Sequence, residues 1–136
     1  MARAAQDVTE TELAILQVLW DQPTASRRQI TDVLYPAGGP AQYATVQKLL
    51  ERLEGKRLVR HTRGPDGVLN FTATVAREDF IGQRLLDMAD RLCGGSLTPL
   101  LMNLLRAKPL ADHEFQELQK LVKELGQQNR RKGDKP

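Results

Sequence analysis

The stretch GGPAQYATVQKLLERLEGKRLVR, residues 38 to 60, limits the fold more than any other part of the chain. Pro40 suits the first position of a helix, where the N–H it lacks would have no partner. From there Val46, Leu49, Leu50 and Leu53 recur at helical spacing on one side, with Tyr43 at its edge. Gly55 is the expected stop, and LVRHTR then reads as a strand. The opposite stripe holds Ala41, Ala44, Thr45, Lys48 and Arg52, flanked by Gln47 and Glu51. It begins small and neutral, where surface helices usually carry charge, and turns basic farther along. One face of this helix is built for burial, and the other is unlike an ordinary solvated surface.

The flanking segments supply its packing partners. VTETELAILQVLW places Thr9 at an N-cap with Glu12 three residues on, a capping box, and Val8 and Leu13 where a hydrophobic staple sits. Leu13, Leu16 and Trp20, widened by Ile15 and Leu19, predict a first helix that DQP ends, with Trp20 a core anchor. TASRRQITDVLYP predicts a short second helix, boxed by Ser26 and Gln29, with Ile30, Val33 and Leu34 on its buried side. Arg27 and Arg28 in its first turn oppose the helix dipole. That cost is recovered if an anion faces the helix start, whose free N–H groups already suit phosphate; unremarkable surface arginines are the other reading. After the third helix, GPDG reads as a tight turn between LVRHTR and VLNFTAT, in which Leu69, Phe71 and Ala73 alternate with polar residues.

Three helices and a hairpin within about seventy residues are the winged variant of helix-turn-helix. In such a unit residues 24–25 are placed to add a minimal third strand.

Beyond Thr74 the pattern changes. AREDFIGQRLLDMADRLCGG predicts a long helix with Ile81, Leu85, Met88 and Leu92 on one side, stopped by Gly94 and Gly95. SLTPLLMNLLRAKP predicts a short helix capped by Ser96, apolar almost all round through Leu97, Leu100, Leu101, Met102, Leu104 and Leu105. LADHEFQELQKLVKELG predicts a third, with Asp112 a candidate cap and Phe115, Leu118, Val122 and Leu125 on one face. Three short helices with this much leucine cannot bury their apolar faces on one another alone. The same segment of a second subunit is the expected cover, making these residues a dimerisation surface; docking onto the chain's own N-terminal unit is the alternative. The expected fold is therefore mainly α, of the α+β class. It comprises a winged helix-turn-helix domain over residues 8–75, a helical dimerisation domain over 76–125 and a disordered basic tail over 126–136.

Charge is distributed unevenly. Residues 1–21 hold one basic and four acidic residues, net −3, and residues 76–125 hold seven basic and eight acidic, net −1. Residues 22–64 hold eight basic and three acidic, net +5, around the helix that begins at Pro40. A basic segment beside an acidic remainder suggests a polyanion surface, with a solvated face as the plain alternative. Cys93 is the one cysteine, which excludes an internal disulfide; a structural role is expected of it, with a redox switch the alternative. His61 and His113 are isolated, so zinc spacing is absent and no metal or cofactor is expected. No nucleophile and base pair, paired catalytic carboxylates or complete phosphate loop appears, and an enzyme is not expected. MARAAQDVTETEL has no apolar core of signal-peptide length, and no apolar run reaches membrane-spanning length. A cytoplasmic protein without membrane insertion is the expectation.

In a winged helix-turn-helix unit the recognition helix enters the major groove, N-terminal residues against base edges. Ala41 and Ala44 then let the helix sit deep, where an alanine methyl meets a thymine methyl. Thr45 suits a phosphate or a base edge, Gln47 an adenine, and Lys48 and Arg52 phosphate or guanine. The Tyr43 hydroxyl is expected to reach a phosphate. Ser26, Arg27, Arg28 and Gln42 complete the surface, and Arg63 on the wing is the residue best placed for a minor groove. With two subunits, the expected partner is double-stranded DNA carrying a palindromic operator. A winged-helix module that binds protein, suggested by the modest +5 and by Asp66 on the wing, is the competing reading.

TETELAILQVLW, YATVQKLLERLEGKRLVRH and VAREDF together resemble the penicillinase and methicillin-resistance repressor family (BlaI/MecI, with the copper-responsive CopY branch) over roughly residues 8 to 125. The resemblance implies a dimeric winged-helix repressor of a palindromic promoter site, with Tyr43, Thr45, Gln47, Lys48 and Arg52 on the DNA-reading helix. The family usually has threonine where this chain has Ala44 and Lys48, which implies a different operator preference. Its wing usually carries aromatics, whereas GPDGVLNF has only Phe71, and the copper branch's Cys-x-Cys tail is absent. MNLLRAKPLA is similar to the region cut in resistance repressors, with Asn103–Leu104 the matching bond. The resemblance thus implies a membrane-bound metalloprotease sensor as a further partner.

Overall fold

Thr9 caps the first helix, α1 (Glu10–Asp21), of the computed structural model, which describes residues 7–133. The capping box forms as spaced. Glu12 N donates to Thr9 Oγ1 at 3.1 Å and Thr9 N donates to Glu12 Oε1 at 3.0 Å, satisfying groups that a helix start leaves without partners. Strand β1 (Ala25–Ser26) leads into α2 (Arg27–Leu34) through a second box, with Gln29 N on Ser26 Oγ at 3.1 Å and Ser26 N on Gln29 Oε1 at 2.8 Å.

The inward face of α2 differs from the expectation. Ile30 is buried, but its neighbour inside is Thr31, while Val33 is 52% exposed. Residues 27, 30, 31 and 34 form one helical face and Val33 lies off it. Burial of Thr31 is tolerated because its hydroxyl donates to the Arg27 carbonyl at 2.8 Å.

Helix α3 (Pro40–Gly55) follows Gly39, whose N–H donates to Gln42 Oε1 at 2.8 Å. Val46, Leu49, Leu50 and Leu53 are buried. The helix does not stop at Gly55, which is its last residue. It ends in a Schellman motif: Leu58 N donates to the Leu53 carbonyl and Arg57 N to the Glu54 carbonyl, both at 3.0 Å. The left-handed position is Arg57, at φ 64°, where glycine is the usual occupant.

Strands β2 (Val59–Arg63) and β3 (Leu69–Ala73) pair antiparallel from Val59 opposite Ala73 to Arg63 opposite Leu69. β1 adds to the other edge of β3, Ala25 opposite Phe71, giving the order β1-β3-β2. At the tip Gly67 N donates to the Gly64 carbonyl and Gly64 N to the Val68 carbonyl, with Gly67 at φ 81°. This Pro-Asp-Gly turn uses proline's fixed φ and then the one residue that takes a positive φ without cost. The core lies between the sheet and the three helices, where Ile15, Leu16, Ile30, Val46, Leu50, Leu53, Val59 and Phe71 meet.

Helix α4 (Arg77–Cys93) begins within this unit. Trp20 Nε1 donates to the Val75 carbonyl at 2.8 Å, and the Trp20 ring lies 5.5 Å from that of Phe80, which is buried. Trp20 is thus the anchor expected. The docking of Phe80 carries the first compact unit to Arg84, so its boundary falls inside α4 rather than at residue 75.

The second unit starts at Leu85 and contains the rest of α4 with α5 (Thr98–Ala107) and α6 (Asp112–Gly133). Leu97, not Ser96, is the N-cap of α5. At α6 Ala111 N donates to Glu114 Oε1 at 3.2 Å, so Asp112 sits in the first turn rather than at the cap. The expected disordered tail from residue 126 is corrected: α6 continues to Gly133, and residues 134–136 lie outside the described residues. Gln, Arg and Lys are good helix formers, and cations near a helix C-terminus suit its dipole. Among the described residues no helix is long and apolar enough to cross a membrane.

Candidate nucleic-acid interface

Because α3 turns Val46, Leu49, Leu50 and Leu53 inward, its other side is left open. Ala41, Ala44, Thr45, Gln47, Lys48 and Arg52 are all exposed. The Thr45 hydroxyl donates to the Ala41 carbonyl at 3.0 Å and keeps its lone pairs toward solvent. Gln47 Nε2 donates to Glu51 Oε2 at 3.4 Å, a long contact that restrains it weakly. Lys48 makes no hydrogen bond or ion pair among the described residues, so its ammonium is available.

The start of α2 and the hairpin tip face each other across an open groove of about 770 Å3, lined by Arg27, Arg28, Tyr43, Arg63, Asp66 and Asn70 among others. Tyr43 joins the two helices there. Its hydroxyl accepts from Arg27 Nε at 3.0 Å, and the Arg27 and Arg28 guanidinium carbons lie 4.8 and 5.5 Å from its ring centre. Such cation–π placement is electrostatically favourable. On the wing Arg63 Nη1 donates to the Gly67 carbonyl at 2.7 Å, and Asp66 Oδ1 accepts from Val68 N at 3.0 Å. Arg63 therefore lies across its own turn, and Asp66 serves that turn.

The residues picked from sequence divide into two sets. Ser26, Arg27, Arg28, Tyr43 and Arg63 converge on the groove, while Ala41, Ala44, Thr45, Gln47, Lys48 and Arg52 run along the outside of α3. Ser26 and Gln42 also have structural duties, since each supplies an oxygen to a helix start. Asp32 and Asn70 line the groove without having been picked. Asn70 comes beside Ser26 only through the pairing of β1 with β3, for which a two-residue strand leaves no sequence signal. Asp32, one turn after Arg28, was legible as a residue but not as a neighbour of the wing.

Two further basic-segment residues are engaged internally. Lys56 Nζ donates to Glu12 Oε1 at 2.6 Å and to the Asp7 carbonyl at 2.5 Å. Burial pushes the Glu12 carboxyl up, but the Lys56 hydrogen bond, the Thr9 N–H and the Lys56 and Arg52 charges outweigh it and hold the group below the usual glutamate value. His61, expected to stand alone, contacts Glu54 Oε2 through Nδ1, and its ring lies 5.8 Å from that of Phe71. Among the described residues no three His, Cys, Asp or Glu are grouped to hold a metal ion.

Residues 8–124 match the sequence profile of the family described as penicillinase repressor. The chain belongs to the penicillinase repressor family. It is similar to the penicillinase repressor of Bacillus licheniformis, with 23% identity over 125 residues, 92% of this chain and 94% of that protein. It is also similar to an uncharacterized 16.5 kDa protein in the ptsI 3′ region of Latilactobacillus sakei, 25% identical over 122 residues, 90% of this chain and 82% of that one. In fold it is similar to a mutant of MepR from a multidrug resistant S. aureus clinical isolate, at TM-score 0.50 and 19% identity over 93% of this chain and 85% of that chain. As a penicillinase repressor family member with a winged-helix fold, the chain is a DNA-binding transcriptional repressor. That is the function expected from its recognition helix.

Proposed function

We propose that this repressor works as a homodimer on a palindromic operator, each copy laying α3 in the major groove. The observation that carries the reading is the open face of α3, small at Ala41 and Ala44 and basic at Lys48, on the side opposite a buried leucine stripe. Ala41 and Ala44 allow close approach to base edges and thymine methyls, and Thr45 and Gln47 supply hydrogen-bonding groups there. Lys48 and Arg52 serve phosphate or guanine, and Arg27, Arg28 and Arg63 flank the helix as phosphate contacts that fix register rather than sequence.

Dimerisation is supported by what the second unit leaves open. Leu92 is 72%, Leu104 56% and Val122 60% exposed, and Ile81, Leu85, Met88, Leu97, Leu101, Leu105 and Phe115 are exposed as well, with Leu100 and Leu118 half-buried. An apolar surface of this extent marks an interaction site, and a second copy offers the same surface in return. Two linked modules then bind half-sites centred roughly 34 Å, or a multiple of it, apart. The off-signal in this reading is a cut at Asn103–Leu104 by a membrane-bound metalloprotease. Both residues are exposed on α5, where Asn103 Nδ2 donates to the Pro99 carbonyl at 2.8 Å. Cutting there divides the dimer surface and removes the avidity that linkage supplies.

A mobility-shift titration against promoter DNA from the chain's own genomic neighbourhood, run at two salt concentrations, tests the reading. Specific binding that weakens steeply with salt is expected. Salt-independent binding, or none at micromolar protein, overturns it.

A further inference from the structure

Tyr43 sits on the DNA-facing side of the fold, yet its hydroxyl oxygen already accepts a hydrogen bond, from Arg27 Nε at 3.0 Å. The same ring carries the Arg27 guanidinium carbon 4.8 Å and that of Arg28 5.5 Å from its centre. An arginine side chain is long, and an exposed one samples many rotamers. Here one end of the guanidinium is fixed through Nε, leaving the outer Nη1 and Nη2 edge to present a planar fork. A fork held in advance loses less freedom when it closes on an oxyanion, and bidentate pairing with phosphate is the geometry it suits.

The surroundings make that placement matter. Asp32 and Asp66 line the same groove as Arg27, Arg28 and Arg63, so it is not a diffuse positive patch. A phosphate entering it is attracted or repelled according to which side chain it meets. Two guanidiniums sharing one ring also repel each other, and an anion set against both offsets that repulsion. We propose that Tyr43 is a positioning residue for DNA binding, holding the Arg27 fork for a backbone phosphate rather than touching DNA through its own hydroxyl. The proposal rests on α2 and α3 facing duplex DNA.

A double-mutant cycle separates the two roles. Wild type, Tyr43→Phe, Arg27→Ala and the double variant are titrated by fluorescence anisotropy against a fluorescein-labelled mixed-sequence duplex, over a series of salt concentrations. Phosphate contacts are sequence-independent, so this probe reads them without the operator. Arg27→Ala should weaken binding about tenfold and lower the slope of log affinity against log salt by about one. Tyr43→Phe keeps the ring and should weaken binding about threefold through the lost hydrogen bond alone. In the Arg27→Ala background Tyr43→Phe should cost nothing further. Arg27→Lys keeps the charge but lacks Nε–H, and Tyr43→Phe should be silent there too. Equal cost in both backgrounds means that Tyr43 touches DNA itself and overturns the proposal. So does either single variant that binds like wild type. Failure of the wild type to bind any duplex instead overturns the DNA-facing reading beneath it.

Discussion

Lys56 Nζ lies 2.6 Å from Glu12 Oε1, tying the C-cap of the recognition helix α3 to the first turn of α1. Glu12 is 1% exposed, and its carboxylate serves two purposes, completing the α1 capping box and receiving the lysine. Removing one partner of a buried pair leaves the other charge uncompensated, which is the costly way to break it. Lys56→Met should therefore destabilise the protein by about 2–4 kcal/mol, somewhat less than for a fully enclosed pair because Lys56 reaches solvent. Thermal unfolding checks it.

The same pair has a signed pH dependence. The folded Glu12 carboxyl titrates below its ordinary value because the Lys56 hydrogen bond, the Thr9 N–H and the nearby positive charges outweigh burial, which acts the other way. In acid the unfolded chain then binds the proton first, so stability rises with pH across that window. The contribution is fully present above the unfolded value of about 4.3 and is lost as pH falls through the lowered folded one. Melts between about pH 6 and pH 3 should show a steeper acid loss for wild type than for Glu12→Gln, which has no charge to lose. Parallel profiles contradict the assignment.

Arg57 occupies, at φ 64°, the left-handed position that ends α3. A Cβ there costs roughly 1 kcal/mol, part of which glycine returns through its freer unfolded chain. Arg57→Gly should stabilise by about 0.5–1 kcal/mol and raise the melting temperature by a few degrees. Arg57→Val, β-branched at positive φ, should lower it. The hydrogen bond from the Thr74 hydroxyl to the Arg57 carbonyl involves backbone and survives both changes. Opposite signs for the two variants are the outcome to look for.

The contrast between Gly55 and Arg57 shows where sequence reading ran out. Both capping boxes were legible, because Thr9 with Glu12 and Ser26 with Gln29 close over three residues and need only local chain geometry. The buried face of α3 was legible for the same reason, since helical period alone assigns Val46, Leu49, Leu50 and Leu53. Arg57 was not, because any residue is driven into a left-handed turn when Leu53 and Leu58 must both reach the core. Partners far apart in sequence were equally hidden. Arg27 meets Tyr43 across 16 positions and Lys56 meets Glu12 across 44, and in each case packing decides the partner. The misread tail followed from composition, as QQNRRKG looks solvated, which it can be while helical.

Gly38 illustrates a constraint of space rather than of φ. A Cβ added there would lie 2.9 Å from both the Tyr35 and Gln42 Cβ atoms, which are fixed to backbone and cannot swing aside. Gly38→Ala should force the turn between α2 and α3 apart, at about 1–3 kcal/mol. Because that turn sets the start of α3, DNA affinity should fall with stability. Gly39→Ala, with nothing within 4 Å of its added Cβ, is the control and should change both far less.

Lys48 and Leu101 separate contact from assembly. Lys48 is exposed on α3, and Leu101 is 52% exposed on α5 in the other compact unit. Lys48→Ala should leave the dimer intact in analytical ultracentrifugation while weakening operator binding by about tenfold per half-site. Leu101→Asp buries a charge in the proposed interface and should yield monomers, with operator affinity lower by about 10²–10⁴ because the second half-site is no longer held nearby. The salt dependence distinguishes them further. A monomer neutralises about half as many phosphates, so the slope of log affinity against log salt should fall by about half for Leu101→Asp. For Lys48→Ala it should fall by about two, one contact per subunit, if Lys48 meets phosphate, and stay unchanged if it meets a base. Monomers from Lys48→Ala, or an intact dimer from Leu101→Asp, would contradict the placement of these two residues.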